Sequence, residues 1–300
     1  MTMEQTSTLT RLTMEQRRQW DAEGYLVIKN ALSPTEVAEL TAAVDRLDAE
    51  SQAEGRDPNA FLSALNVVER DDVFLNLVDH SSHLGIVVDL LGANIQMKLS
   101  QVMVRPPTPT PGSRWHVDGP GPYPFPNLNG VMPLIQLKIG WFLTDVDNPD
   151  MGNFVVIPGS HANGLPPSAV QAIAASQQAA QIEIAVPGAR QVMVRAGDAL
   201  LFHQGVWHAV AHNASNVRRK NLYYVYSPLW MRLVDRFQTS PEILARSNPV
   251  RRQLLGDLIT PGSSMFPSDE TAPLMRLFEG KTYQELQKAS AAQYLRLAQR

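Results

Sequence analysis

Residues 197–228 read GDALLFHQGVWHAVAHNASNVRRKNLYYVYSP. The pieces ALLFH, VWHAVAH and NLYYVYSP are short and rich in Val, Leu, Phe and Tyr, and turn residues separate them. Many short strands at close spacing build a sandwich or a barrel. The texture continues outward on the N-terminal side. RQVMVR (190–195), IEIAV (182–186), NFVVIPGSH (153–161), LIQLKIGWFLTDV (134–146) and NIQMKLSQVMVR (94–105) all read as strands, the last stopped by Pro106-Pro107.

Helices flank this core. Residues 14–23 form a short helix stopped by Gly24, and YLVIKN (25–30) then reads as a strand. Ser33-Pro34-Thr35-Glu36 is a helix start, with a Ser cap, Pro in the first turn and Glu three residues on. Val37, Leu40, Val44 and Leu47 give the helix one apolar stripe. HLGIVVDLLG ends at Gly92; residues 168–180 are Ala/Gln-rich and helical, and 283–300 closes the chain as a helix. The expectation is one domain over 1–300: a helical part at about 12–92, a β-core at about 94–228 and a helical part at about 229–300.

The composition bounds the chemistry. The 300 residues carry a formal charge of −3, with no basic block longer than Arg218-Arg219-Lys220, which argues against nucleic acid as a partner. The chain has no cysteine, so any metal site uses nitrogen and oxygen donors, which suits iron, manganese or zinc. The N-terminus lacks a signal-peptide core and no stretch is long enough to span a bilayer, so a cytoplasmic protein with no membrane partner is expected.

Within the Pro/Gly-rich stretch 106–130, SRWHVDGP (113–120) places His116 and Asp118 two residues apart. On a strand, such side chains share a face. The pair fits a metal site, but also a mutual ion pair or a turn. One further histidine would complete a two-His, one-carboxylate face with open positions, the pattern of non-haem iron oxygenases. His203, His208 and His212 fall together in 197–213, and strand alternation alone does not choose among them. A 2-oxo acid chelating iron also needs a cation for its far carboxylate, and the arginine fork suits that. Asn213-Ala214-Ser215-Asn216 is a turn signal; a hairpin there would set Arg219 opposite His208 and turn Arg218 to the other face. Trp115 and Trp207 read as packing; His80 and His83 as surface residues; His161 as packing its turn; His203 and His212 as structural. Tyr123, Phe125 and Asn127 are candidates for a lid, against a plain loop.

These residues resemble the phytanoyl-CoA dioxygenase-like family of Fe(II)/2-oxoglutarate oxygenases. The likeness runs through QRRQWDAEGYLVIKNALSPTEVAEL, WHVDG, MGNFVVIPGSH, GDALLFHQGVWHAVAHNASNVRRKNL and VRRQLLG, in that order. It implies a mainly β fold with flanking helices, a double-stranded β-helix or cupin-like jelly roll. It implies His116, Asp118 and His208 as Fe(II) ligands, with Arg219 on the distal carboxylate of 2-oxoglutarate; His208 is preferred over His203 by its spacing to Arg219. Gln101 and Trp141 resemble positions that line the co-substrate. The implied reaction consumes O2 and 2-oxoglutarate, releases succinate and CO2, and hydroxylates a small molecule. Because the carboxylate at 118 is present, oxygenation rather than halogenation is expected. A non-catalytic β-barrel binding protein and a zinc hydrolase using the same ligands are the rival readings. Neither accounts for Arg219.

Overall fold

The computed structural model describes residues 9–110, 112–118, 133–179, 185–236 and 238–257, together with 262, 268 and 270–277. The proposed lid residues Tyr123, Phe125 and Asn127, most of IEIAV and the C-terminal helix lie outside the described residues.

The chain enters through α1 (Met14–Glu23), β1 (Tyr25–Ile28), α2 (Pro34–Ala53), β2 (Leu62–Leu65), α3 (Asp72–Leu75) and α4 (Leu84–Leu91). The long strand β3 (Ile95–Arg105) follows, then β4 (Ser113–His116), β5 (Leu137–Phe142) and β6 (Phe154–Val156). After α5 (Ser160–Asn163) and α6 (Pro167–Ala179) come β7 (Arg190–Gln191), β8 (Ala199–His203), β9 (His208–Val210) and β10 (Arg219–Pro228), and then α7 (Pro241–Ala245) and α8 (Pro249–Leu254). Both long N-terminal helices start as their sequences dictate. Thr13 with Gln16, and Ser33 with Glu36, close reciprocal capping boxes that satisfy backbone N–H groups otherwise left without partners. Gly24 ends α1 at φ 76°, a left-handed value that glycine adopts without penalty.

Two antiparallel sheets make the jelly roll. The larger has the order β1-β8-β5-β10-β3-β2 and the smaller β4-β9-β6-β7. The first ninety residues are thus more than a helical preface, because β1 and β2 supply both edges of the larger sheet. The segment 134–146 yields a strand only over Leu137–Phe142, and RQVMVR only over Arg190–Gln191.

Alternation splits the larger sheet into two faces. Leu137, Ile139 and Trp141 of β5, with Leu222, Tyr224 and Tyr226 of β10, pack outward against Val44 of α2, Phe74 of α3 and Ile86 of α4. Each such aliphatic side chain contributes roughly 1.5–3 kcal/mol on burial. Phe142 of β5, Tyr223 of β10 and Phe202 of β8 face the other way, into the sandwich, and meet Phe154 and Val156 of the smaller sheet. Gly140 makes room for this inner layer: a Cβ there would lie 2.3 Å from the Tyr223 ring.

The expected hairpin at 213–216 does not form. Strand β9 pairs with β4 and β6, whereas β10 pairs with β3 and β5, so the intervening chain crosses from one sheet to the other. The Asn213 side-chain amide donates to the carbonyls of Arg105 and Val217, and its backbone bridges to Thr108 and Met151. The turn is therefore fastened to neighbouring loops and not closed on β9.

His83 is fully buried, contrary to its reading as a surface residue. The Tyr226 hydroxyl donates to the Val78 carbonyl, so the His83 Nε2–H donates to that hydroxyl at 2.9 Å. Burial, then the neighbouring His80, hold the His83 pKa well below 6.5. The unfolded chain therefore binds a proton at this site from about pH 6.5 downward, while the folded protein refuses it. The stability difference is absent above that pH and grows as pH falls, by up to about 1.4 kcal/mol per unit until the folded pKa is reached. Metal-free protein should melt at lower temperature at pH 5 than at pH 7.5, and His83→Gln should flatten that dependence. An unchanged slope in the variant would show that His83 does not control it.

Candidate metal centre

His116 ends β4 and His208 begins β9, and the two are directly paired across the strands with ring centroids 4.2 Å apart. Asp118 follows two residues after His116. Its Oδ1 lies 3.7 Å from His116 Nε2, and its Oδ2 lies 4.0 Å from His208 Nε2. One donor atom from each of the three residues falls within 4.8 Å of the others. Among the described residues this is the one His/Asp/Glu group with metal-ligand spacing.

The donors are prepared for a cation. His116 Nδ1 donates to the Arg114 carbonyl at 2.7 Å, and His208 Nδ1 donates to the Val206 carbonyl at 3.0 Å. Each ring thus carries its proton on Nδ1 and turns an unprotonated Nε2 toward Asp118, as a metal-ligating imidazole requires. Burial pushes the His208 pKa down to about 4 against the opposing pull of Asp118. Burial alone would raise Asp118, but Lys138, His208 and His116 outweigh it and hold the carboxyl at about 2. Two nitrogens and one anionic oxygen, with His116 43% exposed on the open side, fit a borderline divalent ion with free coordination positions. Phe154 stacks on His208 at 5.1 Å and Phe202 lies 4.9 Å away, which walls the buried side with apolar rings.

His203 stands apart from the group. Its Nδ1 accepts from the Gly205 N–H, and its ring packs against Trp20 and His161. His212 lies beside Asp150, and Trp115 is buried among Ile157, Ile173 and Ala209.

Arg219 opens β10 and is 1% exposed. Its guanidinium donates to the Gly152 carbonyl and, at 2.8 Å, to Asn221 Oδ1, while Nε has no partner. Among the described residues no carboxylate pairs with it. A buried cation without a counterion is costly, and the cost is relieved when an anion binds. Phe142, which lies under this guanidinium, belongs to the same inner cluster as Phe154, the ring that stacks on His208. Arg218 faces away, to Asp48 and the Pro58 carbonyl.

The two remaining co-substrate positions part company. Gln101 shares the inner register with Tyr223 and donates to Ser63 at 2.7 Å. Trp141 does not line the interior. It belongs to the outward layer, edge-on to His83 at 5.0 Å and Tyr224 at 5.1 Å, because it is in phase with Leu137 and Ile139.

Sequence reasoning missed two cations. Lys138 points inward from β5, with Nζ 2.8 Å from Asp118 Oδ2. Arg105 faces Arg219 across β3 and β10, is 7% exposed, and has its pKa lowered to about 10 by burial and then by Arg219. A charge inside an otherwise apolar central strand was the available signal for Lys138. Nothing in the sequence marked Arg105 beyond its place before Pro106.

Residues 20–221 match the family model described as phytanoyl-CoA dioxygenase. The chain is 28% identical over 246 residues to an ectoine dioxygenase of Nocardia farcinica, covering 74% of this chain and 80% of that protein. It is 25% identical over 229 residues to one of Stutzerimonas stutzeri, covering 69% and 74%. A solved structure of HygX from Streptomyces hygroscopicus with nickel and 2-oxoglutarate superposes with a TM-score of 0.60 at 20% identity, covering 75% of this chain and 90% of that one. EctD from S. alaskensis in its apoform gives 0.56 at 23% identity, covering 79% and 85%.

Proposed function

The chain belongs to the phytanoyl-CoA dioxygenase family, whose members are iron- and 2-oxoglutarate-dependent dioxygenases, and from that premise we propose that it hydroxylates an unactivated C–H bond of a small molecule. His116, Asp118 and His208 would hold Fe(II). Bound iron would supply the oxidative chemistry, with O2 and 2-oxoglutarate consumed and succinate and CO2 released. The chain's own residues supply geometry and a shielded wall. Both imidazoles are fixed in the ligating tautomer by backbone carbonyls, and Phe154 and Phe202 keep water from the buried side of His208.

The observation that carries the co-substrate reading is the buried guanidinium of Arg219, which has no acid partner among the described residues. A dicarboxylic co-substrate chelating the metal at one end would place its distal carboxylate there, and Arg105 beside it adds a second positive charge. A zinc hydrolase leaves this pair of arginines unexplained. The small-molecule relatives, named for ectoine, favour a compact substrate over a macromolecule.

The test is anaerobic loading with Fe(II) followed by 2-oxoglutarate and O2, with succinate measured. Iron-dependent succinate release is expected; hydrolysis supported by zinc, with no succinate under iron, would overturn the reading. Among the described residues no helix is long and apolar enough to cross a membrane.

A further inference from the structure

Strand β10 carries a register shift where it meets β3. Val225 faces Leu99 and Tyr226 faces Met97, which leaves Lys98 as the extra residue of a bulge. Bulges re-aim side chains. On its other edge, β10 sets Val225 opposite Lys138 of β5. Lys98 and Lys138 therefore flank one level of β10 from either side, two strand spacings or roughly 10 Å apart at the backbone. Long flexible stems let both ammonium groups converge. Lys138 lies over the inner rings of Tyr223 and Phe202 and reaches Asp118 at 2.8 Å. Lys98 is half-buried, and among the described residues no carboxylate lies within ion-pair distance of its ammonium. Burial lowers the Lys98 pKa; Asp118 opposes that and Lys138 adds to it, which places all three charges within one field.

Resting on the oxygenase reading above, we infer that the prime substrate is a carboxylate, held beside the metal centre by Lys98 and Lys138. Charge balance is the reason. A ferrous ion, Asp118 and the proximal carboxylate of 2-oxoglutarate sum to no net charge, and the distal carboxylate is matched at Arg219. Asp118 is then shared between the metal and Lys138, and among the described residues no second carboxylate is left for Lys98. The stretch 119–132, GPGPYPFPNLNGVM, contains no Asp or Glu, so it contributes none. Uncompensated charge at a sheltered site is unfavourable. A substrate carboxylate supplies the missing charge and accepts charge-assisted hydrogen bonds from both lysines.

The experiment uses the full chain loaded with Ni(II), which blocks turnover, and saturating 2-oxoglutarate. Calorimetry measures binding of cyclohexanecarboxylate and 3-phenylpropanoate, each against its primary amide. In the wild type at least one acid should bind more tightly than its amide by on the order of tenfold. Lys98→Met should bring that ratio below about threefold, and Lys98→Arg should keep it. Equal or absent binding of acid and amide, or a preference that survives K98M, overturns the inference. So does a K98M protein whose only change is weaker 2-oxoglutarate binding, because that assigns Lys98 to the co-substrate. Titration of 2-oxoglutarate into the Ni(II)-loaded wild type is read separately. Failure there sinks the oxygenase reading itself.

Discussion

His116→Ala is expected to abolish iron-dependent turnover of 2-oxoglutarate while leaving the fold in place. The side chain is 43% exposed at the end of a four-residue strand, so little packing is lost with it. What is lost is one of the three proposed donors. Removing even a residue that merely orients a ligand costs metal sites about 10–100-fold in affinity or activity; removing a ligand should exceed the upper figure. His208→Ala should be equally inactive, but less stable, because that imidazole is 3% exposed between Phe154 and Phe202. Truncating a buried ring leaves a cavity as well as a missing contact. His203→Ala is the contrast. It breaks the contact with the Gly205 N–H and the packing on Trp20, so it should lower the melting temperature and still bind iron. Anaerobic Fe(II) titration alongside succinate release separates these cases. Iron binding lost in His203→Ala and kept in His208→Ala would reverse the ligand assignment.

Much of the candidate metal centre was readable because its residues are tied to strand ends by local signals. The pair His116 and Asp118 sits at the end of β4, and His208 begins β9; turn residues marked both places. The route to Arg219 was not readable. Asn213-Ala214-Ser215-Asn216 has hairpin chemistry, but a jelly roll sends successive strands to opposite sheets, and local turn propensity carries no information about which sheet receives the next strand. Arg219 and His208 belong to opposing walls of the sandwich, not to neighbouring strands. Trp141 failed for a related reason. LKIGWF is apolar at almost every position, so its period of two shows no preferred face. The one polar residue, Lys138, faces inward, against the usual rule, because that interior holds the charged site. His83 was read as a surface residue because the segment before α4 is too short to show a periodic stripe, and the phenol that accepts its hydrogen bond lies 143 residues away. Strand β2 was missed because LSAL is short and half exposed.

Arg219→Met should weaken 2-oxoglutarate binding steeply without destabilising the metal-free protein. The two halves of this expectation have one cause. In the free protein the guanidinium is buried with a carbonyl and an amide oxygen as partners, an orphan Nε and no acid among the described residues. Burial lowers its pKa, the mark of a cation held without sufficient compensation. Replacing such a charge by an apolar side chain of similar length is often neutral or stabilising by about 1–4 kcal/mol. The metal-free variant should therefore melt at or above the wild-type temperature. With 2-oxoglutarate present the sign reverses, because the incoming carboxylate would lose its buried partner. That loss costs roughly 3–5 kcal/mol, on the order of a hundredfold to a few thousandfold in affinity. Arg219→Lys keeps the charge but not the two-pronged donor geometry, so it should fall between the two. Arg218→Ala should show the opposite pattern. It gives up a 2.8 Å ion pair with Asp48 and a bond to the Pro58 carbonyl, so it loses a little stability and leaves 2-oxoglutarate affinity unchanged. Melting curves with and without 2-oxoglutarate, together with calorimetric titration of the Ni(II)-loaded proteins, read both quantities. A metal-free Arg219→Met protein that melts far below the wild type, with unchanged 2-oxoglutarate affinity, would make Arg219 a structural arginine and remove the anchor for the co-substrate's distal carboxylate.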